Sequence, residues 1–262
     1  MTTGARILYI DIETAPNLAH VWGHWEQNVI AHQREWTMLC FAWQWEGEKK
    51  IHVASNWHDH GEILDDTKIT QTAWDLLDEA DIVIAHNGDK FDIRKLNARF
   101  VRLGMLPPSP YRTVDTTKVA RRYFAFNSNS LDNLGETLGL GRKVKHPGWE
   151  MWEGCLAGEQ KWWDLMVRYN RQDITLLRKV YLRLRPFMSN HPNLAAYDTL
   201  AVCPTCGKGI SAAQKRGLYY NQTTNYQQWR CMPEKGGCGT WYRSRVREPE
   251  SFSPATTSVT RR

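Results

Sequence analysis

Long hydrophobic runs are absent: nowhere do about eighteen consecutive apolar residues occur, so no segment reads as a membrane-spanning helix. The opening MTTGARILYIDIET lacks the basic, then apolar, then small-residue order of a secretory leader and runs directly into strand-like sequence. Internal repeats are missing, which removes solenoids and propellers from consideration. Cysteine is scarce, at six in 262 residues. Without a leader the expected compartment is cytoplasmic and reducing, that of a bacterium or a phage-infected host, where thiols do not need to pair. Positive charge is sparse at the start: residues 1–89 hold 5 Lys/Arg against 15 Asp/Glu. Residues 90–190 reverse this with 19 against 9, and the last 72 residues, with 10 against 4, carry the whole formal excess of +6. A basic pI of about 9.0 points toward a polyanionic partner.

What is present is an ordinary globular composition, 42% apolar and 24% charged, long enough for one full-sized domain and a satellite. Short apolar β-branched runs predict strands over residues 6–12, 36–45, 50–54 and 81–85, with a further short one at 113–115. Helical spacing predicts helices at 70–79, 90–103 (ended by Gly104), near 116–124 and 130–138, and over about 161–185 before Pro186. The Gly-rich stretch 141–160, with Pro147, reads as a loop. Strands first and alternating elements later give an α/β fold, a mixed sheet flanked by helices. Composition changes beyond Pro192. The expected division is residues 1–190, a cysteine module at 198–245, and a disordered Pro/Ser/Thr-rich tail at 246–262.

Three groups of residues carry chemistry. Asp11 and Glu13 lie two apart on a strand and so share a face. Their mutual repulsion is relieved by a cation between them, although an isolated D-x-E equally describes a solvated strand end. His86-Asn-Gly-Asp-Lys-Phe91-Asp92 follows a buried strand and puts Asp92 in the first turn of a helix, where the dipole favours a carboxylate. Tyr169 and Asp173 sit four apart on the long helix, on the face marked as buried by Leu165, Leu176, Leu177, Val180 and Leu184. An Asp there needs a partner, either a metal ion or one of the many arginines.

DIET, HNGDKFD and Y-x-x-x-D in this order resemble the three motifs of the DEDD (DnaQ-like) 3′–5′ exonuclease superfamily, over about residues 6–185. Five residues before the last Asp stands Arg168, which stays protonated and cannot serve as a base. Four before it stands Tyr169, so the chain is similar to the tyrosine branch. HNGxxFD and the tryptophan-rich segment after DIETAPN resemble stand-alone, phage-type members. The resemblance implies a ribonuclease-H-like fold and a catalytic set of Asp11, Glu13, Asp92, Tyr169 and Asp173. It implies two Mg²⁺ or Mn²⁺ ions, one held by Asp11, Glu13 and Asp173, the other by Asp11 and Asp92. All-oxygen ligands suit those ions. Tyr169 would orient the attacking water. Thr14, His86, Asn87 and Phe91 would contact the terminal nucleotide, with packing as the competing role for His86 and Phe91. The implied activity is hydrolysis from the 3′ end of single-stranded nucleic acid, DNA rather than RNA. An exoribonuclease and a non-catalytic nucleic-acid-binding protein are the alternatives. With no polymerase domain in the sequence, a polymerase or another replication or repair protein would be a partner in trans.

Other residues invite readings of their own. Asp115 reads as structural, and His58-Asp59-His60 as a solvated loop. Trp22, Trp25, Trp43, Trp45 and Trp57 could offer stacking surfaces for bases, with packing as the main reading for most of them. Lys90 to Arg122, with Arg142, Lys143 and Lys145, is a basic run that can track a phosphate backbone. Cys203-x-x-Cys206-Gly and Cys231-(x)₆-Cys238-Gly flank a 24-residue insert and resemble a zinc ribbon with four thiolates around one structural Zn²⁺. The second spacing is wider than usual and leaves open which thiol pairs enclose the ion. Cys40, in a strand, and Cys155, in the loop, read as unliganded. Tyr219, Tyr220, Tyr226, Trp229, Trp241 and Tyr242 alternate with Lys215, Arg216, Arg230, Arg243 and Arg245. These aromatics suit either stacking on nucleic acid or service as the module's only core, and protein docking is a third option.

Overall fold

The computed structural model describes residues 4–25, 28–221 and 224–247. The chain divides into two compact units, a larger one of Arg6–Leu184 and a smaller one that joins the start of the chain to the part from Arg185 onward. In the larger unit, β1 (Ile7–Thr14) is followed by the short strands β2 (Leu18–His20) and β3 (Ala31–Arg34), then β4 (Met38–Trp45) and β5 (His52–Ser55). Helices α1 (Asn56–His60) and α2 (Thr67–Glu79) lead to β6 (Ile82–Ala85), α3 (Asp92–Arg102) and β7 (Arg112–Asp115). Helices α4 (Thr116–Tyr123), α5 (Leu131–Thr137), α6 (Trp149–Leu156) and α7 (Gln160–Leu184) complete it. None of the described helices is long and apolar enough to cross a membrane.

The sheet order is β5-β4-β1-β6-β7. The neighbours β4 and β6 pair with β1 antiparallel and parallel respectively, so the sheet is mixed, as expected. Alternation along β1 divides its residues between two helical layers. Leu8, Ile10 and Ile12 join a core with Ile69, Leu77, Leu96 and Phe100 of α2 and α3. Tyr9 points the other way and meets Tyr181 of α7 edge-on, 5.8 Å between ring centres. Asp11 and Glu13 have the same parity as Tyr9, so the face that receives α7 also receives both carboxylates.

The stretch 141–160 is not a loop throughout. Helix α6 occupies its second half, started by Gly148 at φ 75°. Gly154 permits the close approach of Trp162, whose ring lies where a Cβ would stand. Flanking glycines and Pro147 conceal this helix in the sequence, and packing against α7 fixes it. Cys155 is accordingly helical, and its carbonyl accepts from Trp163 Nε1 at 2.9 Å. His58-Asp59-His60 is likewise helical, capped by the Ser55 hydroxyl. Trp22 and Trp25 depart from packing: they are 90% and 88% exposed, in the connection between β2 and β3.

The smaller unit contains β8 (Ala213–Tyr220), β9 (Asn225–Cys231) and β10 (Trp241–Arg247), an antiparallel sheet in the order β10-β9-β8. Val246 and Arg247, assigned to the tail from composition, still belong to β10. The expected disorder from residue 248 onward lies outside the described residues.

Candidate active site and metal cluster

Asp11, Glu13 and Asp173 offer carboxylate oxygens that all lie within 4.8 Å of one another. Two come from the C-terminal half of β1, where Asp11 pairs with Ala42 and Glu13 with Cys40. The third comes from α7. The sequence separates them by some 160 positions, and the helix lying across the strand closes the gap. Asp92 stands beside this trio at the start of α3. It is 2% exposed, and its Oδ1 accepts from the Ile12 amide at 3.0 Å. That bond fixes the first turn of α3 to β1, between the two strand carboxylates.

So many carboxylates in one place are electrostatically unfavourable when ionised. Burial, then the charges of Asp173, Asp92 and Glu13, raise Asp11 well above the usual carboxylate range. Burial and Asp173 push Glu13 up to about 8. Burial brings Asp92 to about 7 despite the Ile12 amide. Asp173 is raised too, by burial, with Lys143 working in the opposite direction. Asp173 Oδ1 is buried with no hydrogen-bond partner among the described residues. An orphaned oxygen within a cluster of raised carboxylates fits a bound divalent cation, because the cation would satisfy the oxygen and restore ionisation.

The cation already present is Lys143. Its Nζ lies 2.7 Å from Asp173 Oδ2 and donates to Tyr169 Oη at 2.6 Å. Burial works to lower its pKa, but Asp173 and Tyr169 outweigh that and keep the ammonium charged. Tyr169 is nearly buried, packed edge-on against His146 at 5.0 Å, and burial next to Asp173 raises its phenol above the ordinary value. The anticipated arginine partner for Asp173 is thus a lysine from the 139–148 connection.

Asn170 is the second residue that sequence reasoning passed over. Wholly buried, it donates from Nδ2 to Asp11 Oδ2 at 2.6 Å and to the Asp11 carbonyl at 3.1 Å. A polar residue on the apolar stripe beside Tyr169 was the available signal. Lys143 read only as part of a backbone-tracking basic run, because its loop's path to Asp173 depends on tertiary packing.

Of the four expected substrate contacts, Thr14 and Phe91 come together around Lys95. Its Nζ donates to Thr14 Oγ1 at 3.2 Å and lies 5.1 Å from the Phe91 ring and 3.9 Å from that of Trp36. Phe91 is 38% exposed, so its ring is only partly covered. Thr14, Lys95 and Trp36 also line a cavity of about 410 Å³ with Trp149 and Trp152. His86 is instead tied into the start of α4 through Thr116 and Thr117, at 2.8 and 3.1 Å, and burial lowers it to about 4. Asn87 adopts φ 62°, and its amide donates to Asp115 Oδ1 at 3.0 Å. Asp115 also caps α4. Part of the basic run is engaged in ion pairs: Arg99 with Asp66, Arg102 with Glu35, Lys118 with Asp89, and Arg142 with Asp132 and Glu136.

In the smaller unit the sulfurs of Cys203, Cys206, Cys231 and Cys238 form a second cluster within 4.8 Å. Cys203 and Cys238 sulfurs are 3.8 Å apart, and those of Cys206 and Cys231 are 3.6 Å apart. A disulfide needs about 2.05 Å. A tetrahedral centre with metal–sulfur bonds of about 2.3 Å has edges of about 3.8 Å, so these distances fit four ligands of one ion. The wide second spacing is taken up by a turn at Pro233–Lys235 and by Gly236 at φ 76°. Gly237 then passes so close to Cys231 Sγ that a Cβ would lie 2.4 Å from it.

A family model of the RNase_H superfamily matches residues 8–185, and the chain belongs to that superfamily. Among solved structures it is similar to the family B DNA polymerase from the hyperthermophilic archaeon Pyrobaculum calidifontis. That likeness has a TM-score of 0.52 at 15% identity and covers 70% of this chain and 25% of the polymerase chain. The chain therefore matches about a quarter of that protein, and what they share is the fold. No curated protein gives a match. Superfamily membership together with the clustered carboxylates supports a nuclease that uses divalent metal ions.

Proposed function

We propose that the chain is a 3′–5′ exonuclease of the tyrosine DEDD branch, acting on single-stranded nucleic acid, DNA in preference to RNA, by a two-metal mechanism. The observation that carries this is the meeting of Asp11, Glu13 and Asp173 on one face, with Tyr169 one helical turn from Asp173. Asp11, Glu13 and Asp173 would hold one Mg²⁺ or Mn²⁺, and Asp11 with Asp92 the other. Bound there, the ions supply an activated water and neutralise charge on the departing oxygen. The bond from water oxygen to phosphorus forms as the bond from phosphorus to the 3′ oxygen breaks, releasing a 5′-mononucleotide. The Tyr169 oxygen accepts from Lys143, so its own proton, which lies within reach of the Asp173 carboxylate, would be the one that holds the water in line. Its raised pKa makes it an orienting hydroxyl rather than a base. Thr14 and Phe91 contact the terminal nucleotide, with Lys95 between them. For His86 and Asn87 the bonds to α4 and Asp115 support positioning of that wall. Residues 1–190 form the catalytic part, and 198–245 the ribbon around one structural Zn²⁺.

The test uses single-stranded DNA and RNA labelled at either end, with and without Mg²⁺. Wild type should shorten 5′-labelled DNA stepwise, and Asp173→Asn should slow this by roughly 10²–10³-fold with its fold intact. Full activity in that variant, or a ladder that shrinks from the 5′ end, rejects the assignment.

A further inference from the structure

The sheet of the smaller unit has two faces, and its aromatic residues divide between them. Lys215 pairs with Trp229 and Trp229 with Tyr242, so these three share one face. Cys231, two residues from Trp229 on the same strand, shares it too. Trp229 and Tyr242 line a cavity of about 430 Å³ with Val202, Pro204 and Ile210. These two rings serve as core.

The opposite face is different. Gln214, Arg230 and Trp241 form one cross-strand row, and Tyr219 stands opposite Tyr226 in another. A register shift between Lys215 and Leu218 delivers Tyr219 to this side. Arg243 lies 4.0 Å over the Tyr226 ring and 5.6 Å from that of Tyr219, while Arg230 lies 5.4 Å from the Trp241 ring. Trp241 and Tyr219 remain 50% and 42% exposed. Among the described residues paired on this face, Arg230 and Arg243 are basic and none is Asp or Glu.

We propose that this outer face binds single-stranded nucleic acid, with Arg230 and Arg243 facing phosphates and Tyr219, Tyr226 and Trp241 stacking on bases. Trp229 and Tyr242 line the cavity on the other side, while packing leaves Trp241 and Tyr219 half exposed and Tyr226 stacked under Arg243. An acid-free basic surface selects a polyanion. Exposed rings select a polyanion whose bases are unstacked, which a duplex does not offer. The surface needs no 3′ terminus and does not depend on the hydrolytic reading.

A covalently closed oligothymidylate circle, titrated against the zinc-loaded full chain without added Mg²⁺ or Mn²⁺, isolates this face from a site that requires an end. Wild type should bind it, less tightly as salt rises. The double variant Tyr226→Ala/Trp241→Ala should weaken circle binding by about tenfold or more. It should keep its zinc and its affinity for heparin, which has charge but no bases. Tyr226→Phe/Trp241→Phe, which retains the rings, should bind the circle as wild type does. The proposal falls if wild type ignores the circle, if the alanine variant binds it unchanged, or if circle and heparin affinities fall together. Hydrolysis of a linear oligonucleotide by the same variants reports separately on the carboxylate site.

Discussion

Two clusters in this chain are arranged to hold cations, and they are built in opposite ways. The carboxylate cluster is assembled from distant residues by a sheet and a helix that have their own apolar cores, with Leu8, Ile10 and Phe41 on one side and Trp163 and Met166 on the other. Its ligands repel one another, and the surrounding packing holds them together. The sulfur cluster is assembled from two short knuckles in a unit with few buried apolar residues among those described, including Val202, Cys203, Ala212, Cys231 and Met232. In the first the fold makes the site; in the second the ion would help make the fold. Small units of this kind depend on such a staple.

Removing the zinc ion proposed for the four cysteines is the sharpest way to test this contrast. A chelator, or Cys206→Ser, should abolish hydrogen-exchange protection across β8–β10, since structural zinc contributes apparent free energies on the order of 10 kcal/mol. Amides of β1, β4 and α7 should stay protected. If both units lose protection together, the contrast is wrong.

Lys143→Met should have a smaller effect, confined to the larger unit. It takes the resident cation from beside Asp173, which is 1% exposed. Without divalent ions, stability should fall by at most about 3 kcal/mol, reduced from the fully buried case because the lysine is partly solvated. Saturating Mn²⁺ should restore much of the loss, and denaturant melts with and without Mn²⁺ would measure both. A variant as stable as wild type without Mn²⁺ would show that Lys143 does not offset the carboxylate charge.

The pH dependence is the mildest expected effect. Glu13 at about 8 and Asp92 at about 7 lie above the roughly 4 of an unfolded carboxylate. Between those values the folded state retains protons that the unfolded chain has lost. The stability they contribute is complete below about pH 4 and disappears as pH rises through 7 to 8. Bound Mn²⁺ reverses the penalty for ionisation. The rise in melting temperature on adding Mn²⁺ should therefore be larger at pH 8 than at pH 5, and equal rises would contradict the repulsion described for this site.

The motifs that could be read directly were those whose chemistry is local. DIET places two carboxylates on one face of a strand, Y-x-x-x-D places two side chains on one face of a helix, and Cys203-x-x-Cys206 sets a knuckle. Lys143 could not be read in this way, because only the route of the 139–148 connection brings it to Asp173. Helix α6 was hidden by the glycines that start it and let Trp162 approach. His86 looked available in HNGDKFD, yet Thr116 and Thr117 occupy both its ring nitrogens. Phe91 had the spacing of a core residue but stands outside the helix that begins at Asp92.

The sequence alone determined which residue types recur at which short intervals, and so the mixed α/β class and the four cysteines, while the acidic and tyrosine set came from the resemblance carried by three ordered motifs. Periodicity and spacing act within a single strand, helix or knuckle, and a linear pattern carries them fully. Tertiary structure alone decided how those pieces meet: Asp173 beside Asp11, Lys143 and Asn170 among the carboxylates, and the aromatics of β8–β10 divided between two faces. Each of these rests on a strand register or a helix crossing. Such long-range geometry is set by how the cores pack, and no short stretch of sequence contains it.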